Sequence, residues 1–299
     1  MKINRFVLEI IKKSVLADIN RRRKLYPPHG IYRERLDIPF IDDKENCHKY
    51  DVYLANENNR KRICVIDIHG GSYMFSEHQD NYLIATKFLE RGIDFVCVDY
   101  MPNDGSFDTI EQVSDLAINI NRLYQHLLDY DLQDDIFYLM GDSAGGHFAL
   151  LLAELFSDKE IQDKICINLP PINIEALLLN CPVFDFAGNM DKSLTDGAMK
   201  RMFGKNYTKA KMELISPKTY IKSFKMPLFL STCKNDFLRK ESLQLKEIIE
   251  KQGSYMKFLD IYVDKKEIGH VHNVIMPNLH ESKIVNKAMY DFIIEISSK

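Results

Sequence analysis

Three residues far apart along the chain have the types and order needed for nucleophilic acyl transfer: Ser143, Asp236 and His270. Ser143 stands in Gly141-Asp142-Ser143-Ala144-Gly145-Gly146, between the apolar run DIFYLM and the run HFALLLAEL. A lone G-x-S-x-G arises often by chance, but here it falls where a strand gives way to a helix. That turn pushes a serine side chain out above a sheet. It is strained and crowded, which is why glycines flank the serine. A serine hydroxyl is a poor nucleophile at neutral pH, so a base and a group to orient that base must accompany it. In such an arrangement the acid follows the serine and the histidine follows the acid, each just past a strand. Asp236 lies in Lys234-Asn235-Asp236 after PLFLST, and His270 lies in Gly269-His270 after KFLDIYV. His272 remains an alternative base, and Asp264, beside Lys265 and Lys266, an alternative acid.

A developing oxyanion also needs amide donors. The run RICVIDI leads into His69-Gly70-Gly71-Ser72-Tyr73, where adjacent glycines let the backbone turn its N–H groups toward a ligand. Gly70, Gly71 and Ser72 are the candidate donors, joined by Ala144 at the start of the helix after Ser143. Tyr73 is the candidate substrate contact, and His69 is expected to hold the loop by hydrogen bonds rather than to react.

Positioning these residues requires a sheet with its loops at one rim. Extended segments are expected at 36–40, 48–54, 62–68, 93–99, 135–140, 175–180, 227–232 and 257–263, and helical patterns at 79–91, 108–129, 144–157, 238–252 and 280–297. Continuous apolar strands alternating with helices imply an α/β fold. Its mostly parallel sheet is covered on both faces, and the first two strands form an antiparallel edge. Ahead of the sheet, Ile3, Phe6, Val7, Ile10, Ile11 and Leu16 recur near helical spacing, with Arg21, Arg22, Arg23 and Lys24 at the end. This predicts an amphipathic helix docked on the body, with a membrane-surface or regulatory helix as the alternative. More than forty residues separate Asn180 from Pro227, among them Phe186, Met190, Met199, Met202, Phe203 and Tyr207. A connection of that length predicts a lid. The expected organisation is therefore one domain over 1–299, with an N-terminal cap helix in 1–30 and a lid insertion at about 185–223.

Composition sets the outer bounds. With 299 residues, 45% hydrophobic and 28% charged, the chain can bury a large core. A net charge of -3 and a pI near 6.3 supply no field to gather polyanions, which argues against nucleic acid as a partner. Six scattered cysteines show no zinc-ligand spacing and read as reduced thiols, and acyl transfer by a serine, a histidine and an aspartate calls for no metal or organic cofactor. Glu9, Lys12 and Lys13 interrupt any signal-peptide core, and no apolar stretch is long enough to span a membrane. A cytoplasmic protein acting on a small-molecule ester is expected, and a homodimer is compatible with the chain.

HGGSY paired with GDSAGGH resembles the hormone-sensitive-lipase-like branch of the α/β hydrolases, particularly small bacterial carboxylesterases and acetyl esterases. KNDFLRKES and GHVHNVIMPNLHES resemble that group's acid and histidine segments, so the likeness covers roughly residues 50–297. It implies the α/β-hydrolase fold, Ser143, Asp236 and His270 as a catalytic triad, an oxyanion hole from the HGG loop and Ala144, and an N-terminal helical cap. Two positions depart from the family pattern: Ser72 replaces its third glycine, and His272 stands where an aromatic residue is typical. The expected activity is hydrolysis of short-chain, acetyl-like esters. An arylformamidase-like amide hydrolase and a non-catalytic binding homologue are the alternatives.

Overall fold

The protein is described from a computed structural model that covers residues 29–39, 49–102, 109–188 and 208–299, with 13, 16, 17, 19–21 and 23–25 of the N-terminal segment. Its eight strands are β1 (Arg33–Pro39), β2 (Lys49–Leu54), β3 (Ile63–Ile68), β4 (Asp94–Val98), β5 (Ile136–Asp142), β6 (Ile174–Asn180), β7 (Leu228–Cys233) and β8 (Met256–Ile261). They form one sheet in the order β1-β2-β4-β3-β5-β6-β7-β8. β2 is antiparallel to both β1 and β4, and the remaining pairs are parallel. This is the α/β-hydrolase fold.

Helices cover both faces, so the inner strands are apolar on both sides. All of β3 is buried, and its period of two sends Cys64, Ile66 and Ile68 into one core and Ile63 and Val65 into the other. The first core is closed by α2 (Thr109–Gln125), α3 (Ser143–Ser157) and α6 (Arg239–Gln252). The second is closed by α1 (Tyr82–Leu89) and α8 (His280–Ser297). Three short helices lacked a readable period: α4 (Lys159–Lys164), α5 (Lys209–Leu214) and α7 (His272–Ile275). The Asp158 side chain caps α4 by accepting from the Glu160 amide, and the Thr208 side chain caps α5 by accepting from the Lys211 amide.

The edge strand expected at 36–40 starts earlier, at Arg33. Its first residues are polar because β1 has one solvated face, where Arg33 pairs with Glu57 at 2.9 Å. Of the N-terminal segment, Ile19 is buried, and Arg23 Nε donates to Asp80 Oδ1 at 2.9 Å, tying it to the turn His78–Asn81. Ile3, Phe6, Val7, Ile10 and Ile11 lie outside the described residues, as do Met190, Met199, Met202, Phe203 and Tyr207 of the expected lid. Among the described residues, no helix is long and apolar enough to cross a membrane. Cys64, Cys97, Cys181 and Cys233 are buried free thiols, and Cys166 is an exposed one.

Candidate active site

β5, near the middle of the sheet, ends on Asp142, and α3 begins at once with Ser143. Ser143 has φ 54°, a left-handed conformation that costs roughly 1–3 kcal/mol and persists only where neighbours enforce it. The turn has no room for a side chain at Gly145, whose added Cβ would come 2.0 Å from the Ile68 carbonyl oxygen. The sharp turn therefore brings the helix start against the end of β3 and leaves Ser143 partly open.

The acid and the histidine come from turns after β7 and β8, and a bridge between Asn235 and Gly269 joins those turns. Asp236 Oδ1 accepts from the Leu238 amide at 2.9 Å, and Oδ2 accepts from Thr232 Oγ1 at 2.7 Å. His270 Nδ1 lies 2.6 Å from Asp236 Oδ1, and His270 Nε2 lies 2.9 Å from Ser143 Oγ. Burial alone would raise the Asp236 carboxyl, but hydrogen bonds from His270, Thr232 and Leu238 hold it below the usual carboxylate range. An ionised carboxylate only accepts, so the Nδ1 proton points at Asp236 and Nε2 is free to accept from Ser143. Three residues distant in sequence thus form one continuous chain of hydrogen bonds.

The competing residues are engaged elsewhere. His272 is buried, and its Nδ1 lies 2.9 Å from Ser282 Oγ. Asp264 is exposed and paired with Lys234. Burial lowers His272 to about 4 and likewise lowers His147 to about 4, so both are neutral in the folded protein near neutral pH. In the unfolded chain each binds a proton below about 6.5. Their contribution to stability is therefore complete above pH 6.5 and is lost as pH falls toward 4, by about 3 kcal/mol for each histidine. Denaturant unfolding at a series of pH values should show this slope reduced by one proton in His272→Asn. A slope equal to that of wild type would mean that His272 titrates freely in the fold.

Next to the serine, the loop after β3 is held from several directions. His69 stacks on Tyr100 with ring centroids 4.5 Å apart, its Nδ1 donates to the Gly70 carbonyl at 2.7 Å, and Tyr100 Oη donates to the His69 carbonyl at 3.0 Å. Asn81 Nδ2 donates to both Asp67 at 2.8 Å and Asp142 at 2.9 Å. Burial and the charge of Asp142 push Asp67 up to about 8. The Gly70 amide donates to Asp142 Oδ1 at 3.0 Å, which corrects its expected place among the oxyanion donors. Gly71, Ser72 and Tyr73 follow with φ of 120°, 56° and 66°. Among the described residues the amides of Gly71 and Ser72 have no acceptor, and that of Ala144 lies in the first turn of α3, whose amides have no intrahelical partner.

Tyr73 does not occupy the open position expected of a substrate contact. It is buried, its hydroxyl donates to His147 Nδ1 at 2.9 Å, and His147 Nε2 donates to the Ile215 carbonyl at 2.5 Å. Its ring packs edge-on against Phe148 and Phe186 at centroid distances of 5.4 and 5.6 Å. Tyr73 therefore fixes the loop to α3 and to the residues after α5.

Sequence reasoning also missed Cys181. It follows β6 in a left-handed conformation, with φ 49°, and its Sγ accepts from the Val271 amide at 3.4 Å. Cys181 Sγ, an Asp236 oxygen and a His270 nitrogen lie within 4.8 Å of one another, close enough for metal ligands, but His270 and Asp236 already satisfy each other. A second such group joins Asp37, Asp51 and His78. Burial opposes a charge on His78, yet the Asp51 carboxylate 3.2 Å from Nε2 and the hydrogen bond to Asp99 push it up to about 10, so the imidazolium is itself the cation among these carboxylates.

A family model described as BD-FAE matches residues 50–247. Over 115 residues, 38% of this chain and 24% of the relative, the sequence is 29% identical to a probable isoprenylcysteine alpha-carbonyl methylesterase of Arabidopsis thaliana. Over 125 residues, 41% of this chain and 40% of the relative, it is 26% identical to kynurenine formamidase of Salmo salar. The matched segment thus spans less than half the length of either. In structure the chain is similar to esterase B of Lactobacillus rhamnosis, with a TM-score of 0.84 and 18% identity over 97% of this chain and 96% of that one. At that identity the likeness is one of fold.

Proposed function

The chain belongs to the BD-FAE family of α/β-hydrolase esterases, and from that premise we propose that it hydrolyses small carboxylic esters through an acyl-enzyme on Ser143. One observation carries the proposal: Ser143 Oγ, both ring nitrogens of His270 and Asp236 Oδ1 lie in series at 2.9 and 2.6 Å.

In this mechanism His270 Nε2 removes the hydroxyl proton as Ser143 Oγ bonds to the ester carbonyl carbon. The amides of Gly71, Ser72 and Ala144 receive the oxyanion, each at a cost of about 10²–10³ in rate if removed. The carbon–alkoxy bond then breaks, His270 gives its proton to the departing oxygen, and the alcohol leaves. Water, deprotonated by the same nitrogen, repeats the sequence and releases the acid. Asp236 holds the ring tautomer and stabilises the imidazolium.

A short acyl group is the substrate feature the surroundings favour, because Tyr73, His147, Phe148 and Phe186 pack tightly behind the loop. Residues 1–30 as a cap and about 185–223 as a lid belong to the same reading. The ion pair of Arg23 with Asp80 supports the cap. The likeness to kynurenine formamidase keeps a formamide substrate as the second reading. Parallel assays of p-nitrophenyl acetate, p-nitrophenyl butyrate and N-formylkynurenine separate the two. A higher kcat/KM is expected for the esters, and a higher value for the formamide would overturn the ester reading.

A further inference from the structure

We propose that Phe237 selects the alcohol half of the ester, as an aromatic platform for leaving groups that carry a flat apolar ring; this rests on the esterase reading of the same site. Phe237 is the only exposed phenylalanine among the described residues, with 75% of its surface open. Its ring lies against His270, with centroids 4.2 Å apart and planes inclined by 38°. An aromatic ring left in water beside a reacting imidazole exposes apolar area that a bound ring would cover.

The backbone beneath Phe237 is fixed by the bonds that set the acid. The Asp236 amide donates to the Cys233 carbonyl at 3.1 Å, the Arg239 amide to the Asp236 carbonyl at 3.2 Å, and the Leu238 amide to Asp236 Oδ1 at 2.9 Å. The exposed ring is therefore presented from a rigid turn.

The chemistry decides which half of the ester meets it. His270 Nε2 must return its proton to the departing oxygen, so that oxygen comes within about 3 Å of the imidazole. The acyl half instead begins at Gly71 and Ser72, where the nearby aromatic rings of Tyr73, Phe148 and Phe186 are buried. Among the described aromatic rings, only Phe237 is both open to solvent and against His270.

Benzyl acetate and ethyl acetate give the same acetyl-enzyme from alcohols of similar acidity, so a contact with the alcohol half appears in kcat/KM and not in deacylation. In wild type the benzyl-to-ethyl ratio of kcat/KM should exceed that of Phe237→Ala by on the order of tenfold, as expected for one aromatic stack. Phe237→Trp should retain the wild-type ratio. An unchanged ratio in Phe237→Ala, including a parallel fall for both esters, would overturn the assignment. So would an altered ratio between ethyl butyrate and ethyl acetate, which would place the ring on the acyl side. Failure of wild type to turn over any of these esters would instead remove the esterase reading, and this proposal with it.

Discussion

Ser143→Ala should lower kcat for a short-chain ester by about 10⁶, the loss typical when a triad nucleophile is removed. The size follows from the chemistry. With a methyl group in place of the hydroxyl no acyl-enzyme forms, and only binding and the amides of Gly71, Ser72 and Ala144 remain to assist water. The fold should survive the change, because the hydroxyl bonds to His270 and to no other described residue. Alanine also places the same Cβ in the left-handed conformation at position 143. Steady-state kinetics on protein with an unaltered near-ultraviolet circular dichroism spectrum is the check. A residual rate within tenfold of wild type would remove Ser143 from the mechanism.

His270→Ala should cost a comparable factor, about 10⁶, whereas His272→Asn should keep kcat within about tenfold of wild type. The contrast tests position directly, since these two histidines lie two residues apart in one segment. His270 Nε2 reaches Ser143 Oγ at 2.9 Å, while His272 turns into the body and meets Ser282. The left-handed residue between them, Val271 with φ 50°, sends the two side chains to different environments. Purified variants assayed at one pH decide the matter. A collapse of activity in His272→Asn with His270→Ala active would reverse the assignment.

The elements that place Ser143 were readable because several local signals coincide there. IFYLM, residues 136–140, is apolar because β5 is buried on both faces, and the run after Gly146 is a helix packed on that strand. Asp236 was readable as an acid just past the apolar strand β7, and His270 as a histidine in the turn after β8, in the required order. What could not be read depended on partners remote in sequence. The Gly70 amide looked available beside Gly71, but its acceptor, Asp142, lies 72 residues away on β5. Tyr73 looked like a pocket residue until His147 claimed its hydroxyl. Cys181 reads as an ordinary core thiol, and only the convergence of β6 with the turns after β7 and β8 brings it to Asp236. The short helix α7 escaped because four residues hold barely one turn, and its start is set by the backbone at Val271.

The most direct test is to treat the wild-type protein with an alkyl fluorophosphonate and map the modified peptide by mass spectrometry. Attack by Ser143 Oγ forms an oxygen–phosphorus bond and expels fluoride. One adduct per chain is expected, located on Ser143 and absent from Ser143→Ala. An adduct on another residue, or an unmodified Ser143 in protein whose ester hydrolysis has been lost, would contradict it.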